Sequence, residues 1–157
     1  MNMSKTIRER RTIRRFLATP VAQERIVSLL NEATRLYEAE GTPRWRCIYF
    51  GTAESRQRLA DSMIAKMKGN PLGKILPAKV TDYFTKQVAN TPAHLAFIAA
   101  SADNRRQRDE NYAAVCSIMQ NVQLLGWEHG LGMLWYTEPL IRSESFLKEI
   151  GLREGER

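Results

Sequence analysis

The chain has 157 residues, enough for one domain that hides roughly two thirds of its unfolded surface without a disulfide or metal staple. Hydrophobic residues make up 43% and charged residues 26%, which excludes disordered, collagen-like and mucin-like chains. The net charge of +7 comes from 17 Arg and 7 Lys against 17 acids, and five of the arginines fall between Arg8 and Arg15. The longest apolar run, 95–100, is far short of the ~20 residues that cross a bilayer. The first residues carry no apolar signal region, and the two cysteines, Cys47 and Cys116, are far apart. The expected setting is a reducing cytoplasm, with no membrane partner.

In chain order, Ser4 reads as an N-cap and 4–11 as an Arg-rich helix. The stretch 12–16 then alternates apolar and basic residues, as an extended segment does. Thr19-Pro20 is a helix start, followed by an apolar stripe of Val21, Ile26, Leu29, Leu30, Ala33 and Leu36. A break at 40–43 precedes a strand over 45–51, with Trp45, Cys47 and Tyr49 on one face. Helices are expected at 53–68 and 79–90, separated by a Gly- and Pro-containing loop. The apolar run 95–101 reads as a central strand buried on both faces. A long helix, 104–128, carries a stripe of Tyr112, Val115, Cys116, Met119 and Val122. Gly130-Leu131-Gly132 ends it, 133–136 reads as a strand, and 139–150 as a last helix. Strands separated by helices indicate α+β or α/β in a single domain over 1–157.

Much chemistry is absent. His94 and His129 are isolated from each other and from the cysteines, so no metal site is expected. His94 reads as a strand-edge residue, and His129 as a residue at a helix C-terminus. No G-x-S-x-G, P-loop or complete G-x-G-x-x-G is present, and no catalytic carboxylate pair stands out. Any catalysis therefore falls to a cofactor. The Arg8–Arg15 cluster offers planar donor forks for phosphate or carboxylate. Stacking aromatics are not interleaved with it, which disfavours nucleic acid as a partner.

Arg10-Arg11-Thr12-Ile13-Arg14-Arg15-Phe16 resembles the opening signature of the nitroreductase family of FMN-dependent oxidoreductases, R-[RH]-[ST]-x-[RK]-x-[FY]. Further stretches follow in family order. Gly41-Thr42-Pro43-Arg44-Trp45 resembles a worn N-x-Q-P-W segment, and Asn90-Thr91-Pro92-Ala93 resembles the family's A-P-x lead into a strand. Gln120-Asn121 with Gly130-Leu131-Gly132 is similar to Q-N…G-L-G, and Trp135-Tyr136-Thr137-Glu138 sits where the family has W-I-G-G or P-I-E-G. The resemblance spans 7–152.

The resemblance implies an α+β fold, with a mixed sheet flanked by helices in an intertwined homodimer built on the long central helix. It implies FMN as cofactor, NAD(P)H as hydride donor and a small-molecule electron acceptor such as a nitroaromatic, a quinone or a similar conjugated compound. The implied cofactor-binding residues are Arg10, Arg11, Thr12, Arg14, Gly41, Thr42, Pro43, Tyr136, Thr137 and Glu138. Arg10, Arg11 and Thr12 would meet the phosphate, and Arg14 the pyrimidine end of the ring. The flavin would carry the chemistry, with no catalytic side chain. Ile118, Leu124, Leu125 and Trp127 lie off the main stripe of the long helix and fit a dimer interface.

The chain departs from the family pattern at Gly41, where Asn is usual, and at Pro43-Arg44 in place of Gln-Pro. It also stops at Arg157, where family members continue into another strand and a basic tail, so it reads as truncated or divergent. The alternative reading is a flavin- or ligand-binding relative with little reductase turnover.

Overall fold

The computed structural model describes residues 3–35, 45–69, 75–136 and 143–157. Its elements in chain order are α1 (Met3–Glu9), α2 (Gln23–Arg35), β1 (Trp45–Phe50), α3 (Ala53–Gly69), α4 (Ala78–Asn90), β2 (His94–Ala99), α5 (Arg105–Glu128) and α6 (Glu144–Glu149). β1 and β2 pair antiparallel from Trp45↔Ala99 to Phe50↔His94, although the α3–α4 pair separates them in sequence. The other edge of β2 is taken by the last residues of the chain. Ala99 and Arg157 exchange backbone hydrogen bonds of 2.9 and 2.8 Å, and Ala100 bridges Glu156 antiparallel. The expected central strand therefore lies between two neighbours, but only Ile98 and Ala99 of β2 are buried; 94–97 are half-buried.

Side-chain alternation divides the two faces of this sheet. Trp45, Cys47 and Tyr49 share a face with their cross-strand partners Ala99, Phe97 and Leu95. That face meets α2 and α5 in a cluster of Leu29, Ala33, Ile118 and Val122, against which Trp45 and Phe97 pack. Their rings stack with centroids 6.2 Å apart. On the other face, Phe50 joins a second cluster of Leu59, Ala60 and Met63 from α3, Val88 from α4 and Phe146 from α6.

Several boundaries and faces correct the sequence expectations. α1 ends at Glu9 rather than near Arg11, and Ser4 is already helical rather than the cap. α2 begins at Gln23 rather than at Thr19-Pro20. The Val21 carbonyl accepts a hydrogen bond from the Tyr49 hydroxyl at 3.3 Å, and the first helical amides, of Arg25 and Ile26, reach the Ala22 carbonyl. In α5 the buried row is Asn111, Ala114, Val115, Ile118, Val122 and Gly126. Tyr112 is 58% exposed, and Ile118, placed off the stripe by its sequence position, is fully enclosed in the core of the single chain. Asn111 replaces Tyr112 inward because its amide donates to the Ala100 carbonyl at 3.0 Å and accepts from Gln107 at 3.1 Å. In 133–136, Met133 alone forms a bridge, to Thr12, instead of a ladder. The last helix is described from Glu144; 139–142 of the predicted span lie outside the described residues.

Candidate functional site

The end of α5 builds the site. Gly130, with φ of +72°, takes the left-handed position that ends the helix. The Leu131 amide returns to the Gly126 carbonyl at 2.7 Å and the Gly130 amide to the Trp127 carbonyl at 3.1 Å, a complete Schellman turn. The chain leaves that turn running parallel to the segment that follows α1. Thr12 and Met133 form a parallel bridge, with the Ile13 amide donating to the Met133 carbonyl at 3.1 Å. The buried Thr6 hydroxyl donates to Glu128 Oε1 at 2.8 Å and ties α1 to the same end of α5. Two stretches more than a hundred residues apart in sequence, both singled out by the family resemblance, thus lie side by side.

The side chains of the arginine segment differ in what they meet. Arg11 Nη1 donates to the carbonyls of Arg8 at 2.6 Å and Arg10 at 3.0 Å, so part of its fork caps the C-terminal end of α1. Arg10 is half-buried, and Arg14 and the Thr12 side chain are exposed. Among the described residues, the Arg10 and Arg14 guanidinium groups make no hydrogen bond or ion pair, and no carboxylate lies within 4.0 Å of Arg10, Arg11, Arg14 or Arg15. A phosphate supplies the acceptors that such donors lack. The unmet Arg10 fork and the Thr12 hydroxyl, on adjoining backbone, fit the phosphate of FMN, and the unmet Arg14 fork is a second, separate donor. Trp135 is half-buried and Tyr136 is exposed. Gly41, Thr42, Pro43, Thr137 and Glu138 lie outside the described residues.

Among the described residues, no side chain near this segment is placed for acid–base or nucleophilic work. Burial pushes the Cys47 thiol up to about 12, so it stays protonated. It lines a shallow groove of about 630 Å³ between α2 and β1, with Leu30, Thr34 and Trp45, and among the described residues no carboxylate or imidazole lines it. Burial lowers the pKa of His94 against the opposing effect of its hydrogen bond to the Val88 carbonyl, 2.8 Å away. It is a neutral packing residue that begins β2. His129 is the C-cap of α5, its Nε2 3.7 Å from Glu32 on α2, and its carbonyl accepts from Arg25. Among the described residues no three His, Cys, Asp or Glu side chains gather as a metal centre would need, and no helix is long and apolar enough to cross a membrane.

Sequence reasoning missed the partnership of Ile13 with Gly132. A Cβ on Gly132 would sit 2.5 Å from Ile13 Cγ1. The signal was there in the second glycine of Gly130-Leu131-Gly132, because one glycine suffices to end a helix.

Comparison with known proteins agrees with this geometry. The nitroreductase family model matches residues 7–157. YfhC of Bacillus subtilis (strain 168), provisionally named an NAD(P)H nitroreductase, is 30% identical over 151 residues, 96% of this chain and 77% of that protein. The crystal structure of a nitroreductase-like family protein from Bacillus cereus is 32% identical and superposes with a TM-score of 0.88, over 100% of this chain and 81% of that one. The FMN- and NADPH-dependent nitroreductase NfnB from Sphigopyxis sp. strain HMH shares the fold at 17% identity, with a TM-score of 0.78 over 99% of this chain and 84% of that one. A motif set in family order, an arginine segment docked on the turn after the long helix, and a family match over nearly every residue have one meaning: the chain belongs to the nitroreductase family of oxidoreductases.

Proposed function

We propose that this chain binds FMN where the 10–16 segment meets 131–136, and uses it to pass hydride equivalents from NAD(P)H to a small conjugated acceptor such as a nitroaromatic or a quinone. The observation that carries the proposal is the docking of the arginine segment on Met133 by the Thr12–Met133 bridge, with the Arg10 and Arg14 forks unmet among the described residues and no acid, base or nucleophile placed there among them. The FMN and NADPH named for NfnB support the choice of cofactor and donor.

In this reading Arg10 and the Thr12 hydroxyl hold the phosphate. Arg14 places a positive charge toward the pyrimidine end of the ring, where it stabilises the negative charge that builds up on reduction. Backbone from Trp135 onward orients the opposite edge of the ring. Gly41, Thr42 and Pro43 complete the cofactor contacts, as do Thr137 and Glu138 beside Tyr136. When bound, FMN supplies the two-electron chemistry, accepting hydride from NAD(P)H and delivering electrons to the acceptor. We further propose that 1–157 acts as one domain, as a cytoplasmic homodimer without nucleic-acid or membrane partners. Leu124 and Trp127, half-buried on α5 outside its buried row, then contribute to the interface.

The test is direct. The purified chain, mixed with FMN and desalted, is expected to be yellow and to bleach on anaerobic addition of NADPH or NADH. A colourless protein that takes up no added FMN refutes the reading. A yellow protein that neither donor bleaches supports the alternative, a flavin-binding relative with little turnover, which the Gly in place of Asn at position 41 favours.

A further inference from the structure

Two glycines follow α5 two residues apart, and they serve different needs. Gly130 and Gly132 differ in backbone: Gly130 has φ of +72°, whereas Gly132 is not among the residues with positive φ. An alanine is therefore conformationally acceptable at 132, and only its surroundings forbid one. A Cβ there would lie 2.5 Å from Ile13 Cγ1, 3.0 Å from Ile13 Cβ and 3.3 Å from Ile13 Cγ2. These atoms sit at the root of a half-buried side chain, not at its far end. Turning χ1 of Ile13 moves the γ carbons but leaves Cβ where it is, so a methyl at 132 must push the two backbones apart.

The backbone it would displace is the one that matters. Ile13 is flanked by Thr12 and Arg14, and its amide makes the 3.1 Å hydrogen bond to Met133 that joins the two stretches. We propose that Gly132 is a positioning residue: the close approach of Ile13 to its bare Cα fixes the distance and register of the Arg10–Arg14 segment against 133–136, and so sets where the unmet guanidinium groups stand. The inference rests on the FMN reading of this site for its consequence, but its geometry belongs to the protein chain alone. Gly132 touches no ligand group in this account and acts through Ile13.

The experiment uses the full chain and four proteins: wild type, Gly132→Ala, and Gly132→Ala combined with Ile13→Ala or with Ile13→Val. Gly132→Ala is expected to keep its helical circular dichroism, to bind FMN at least about tenfold more weakly by fluorescence titration, and to exchange the Ile13 amide at least about tenfold faster. The amides of Ala99 and Arg157, on the far edge of the sheet, keep their protection. Ile13→Ala removes both γ carbons, the 2.5 Å contact among them, and leaves only the tighter-than-usual 3.0 Å contact to Cβ, so it is expected to restore part of the FMN affinity and of the Ile13 protection. Ile13→Val keeps both γ carbons and is expected to restore neither. Equal rescue by the two Ile13 variants overturns the inference, as does unchanged exchange at Ile13 in Gly132→Ala. Loss of helical structure in Gly132→Ala also overturns it, because the contact would then hold the fold rather than the segment. If the wild-type chain takes up no FMN, the cofactor reading falls, and the positioning inference is decided by the exchange of Ile13 in the flavin-free proteins.

Discussion

Among the described residues, two groups of arginines use the same side chain in opposite ways. Around the sheet, Arg46 on β1 is fully engaged from within. Its Nε and Nη2 donate to the two oxygens of Glu156 at 2.6 and 2.7 Å, and Nη2 reaches the Gly151 carbonyl at 2.5 Å. Arg56 on α3 likewise donates to the carbonyls of Ala89, Gly51 and Pro92 at 2.8–3.0 Å, binding the end of β1 to the lead into β2. At the other region, Arg10 and Arg14 find no such partners among the described residues. Both regions are basic, but one is closed electrostatically and the other is open. Removing a closed arginine or its partner damages the fold and spares binding; removing an open one does the reverse.

The largest effect is expected at the closed end. Glu156 accepts from both Arg46 and the Arg153 amide and anchors the segment that pairs with the edge of β2. Glu156→Ala leaves a half-buried guanidinium short of its anion, and should lower stability by about 1.5–3 kcal/mol in chemical denaturation, with FMN affinity unchanged. The hydrogen bond from Arg46 holds the Glu156 carboxyl at about 2, below its ordinary 4.5. A depressed carboxylate stabilises the fold above its unfolded pKa and loses that contribution as it protonates. Wild-type stability should therefore fall as the pH drops from about 4.5 toward about 2, and Glu156→Gln should flatten the curve in that window. An unchanged slope would show that the clasp is not what closes this region.

At the open end, Arg14→Ala should leave the denaturation midpoint within the usual surface range, about 0.5 kcal/mol, and slow flavin reduction by NADPH on the order of 10²-fold in stopped-flow traces. Arg10→Ala should act on retention instead. A hydrogen bond to a charged group is worth roughly 1.5–3 kcal/mol, so FMN should bind about ten- to a hundredfold more weakly, and more so at low salt than at high salt. If either substitution unfolds the protein while leaving these readouts intact, the division between the two regions is wrong.

Much of this arrangement is legible locally, and the part that is not depends on distant contacts. The helices at 53–68 and 79–90 are found within one residue at each end, and both strands within one or two, because apolar periodicity and punctuation by Gly and Pro are local. The inward face of α5 is not legible in the same way. An aromatic such as Tyr112 looks like a core residue, yet it lies under the guanidinium of Arg157, 5.3 Å from its ring centre, while Asn111 turns inward toward Ala100. The Tyr112 choice is made by the last residue, Arg157, far away in sequence, and the Asn111 choice by the backbone just past β2, across the connection into α5. The arginine segment shows the same limit. Its signature points to an anion site, but whether a given arginine is open or closed depends on where α1 ends, and helix ends are set by what the next residues meet.

Arg11 is the test of that last point, and the smallest effect expected. It stands between Arg10 and Thr12 in the signature, so a reading from spacing alone assigns it to the phosphate equally. In the structure one of its terminal nitrogens is already committed to the carbonyls of Arg8 and Arg10. Those carbonyls carry the negative end of the α1 dipole, and a cation there contributes about 0.3–1 kcal/mol. Arg11→Ala should therefore lower stability by about 0.5 kcal/mol and weaken FMN by less than about threefold, well below the effect of Arg10→Ala. Arg11→Lys should recover the stability, since an ammonium can still sit over the helix end, although it lacks the guanidinium fork. An Arg11→Ala loss of affinity as large as that of Arg10→Ala, measured side by side, would mean that the carbonyls release this guanidinium when an anion arrives, and would move Arg11 from the closed group to the open one.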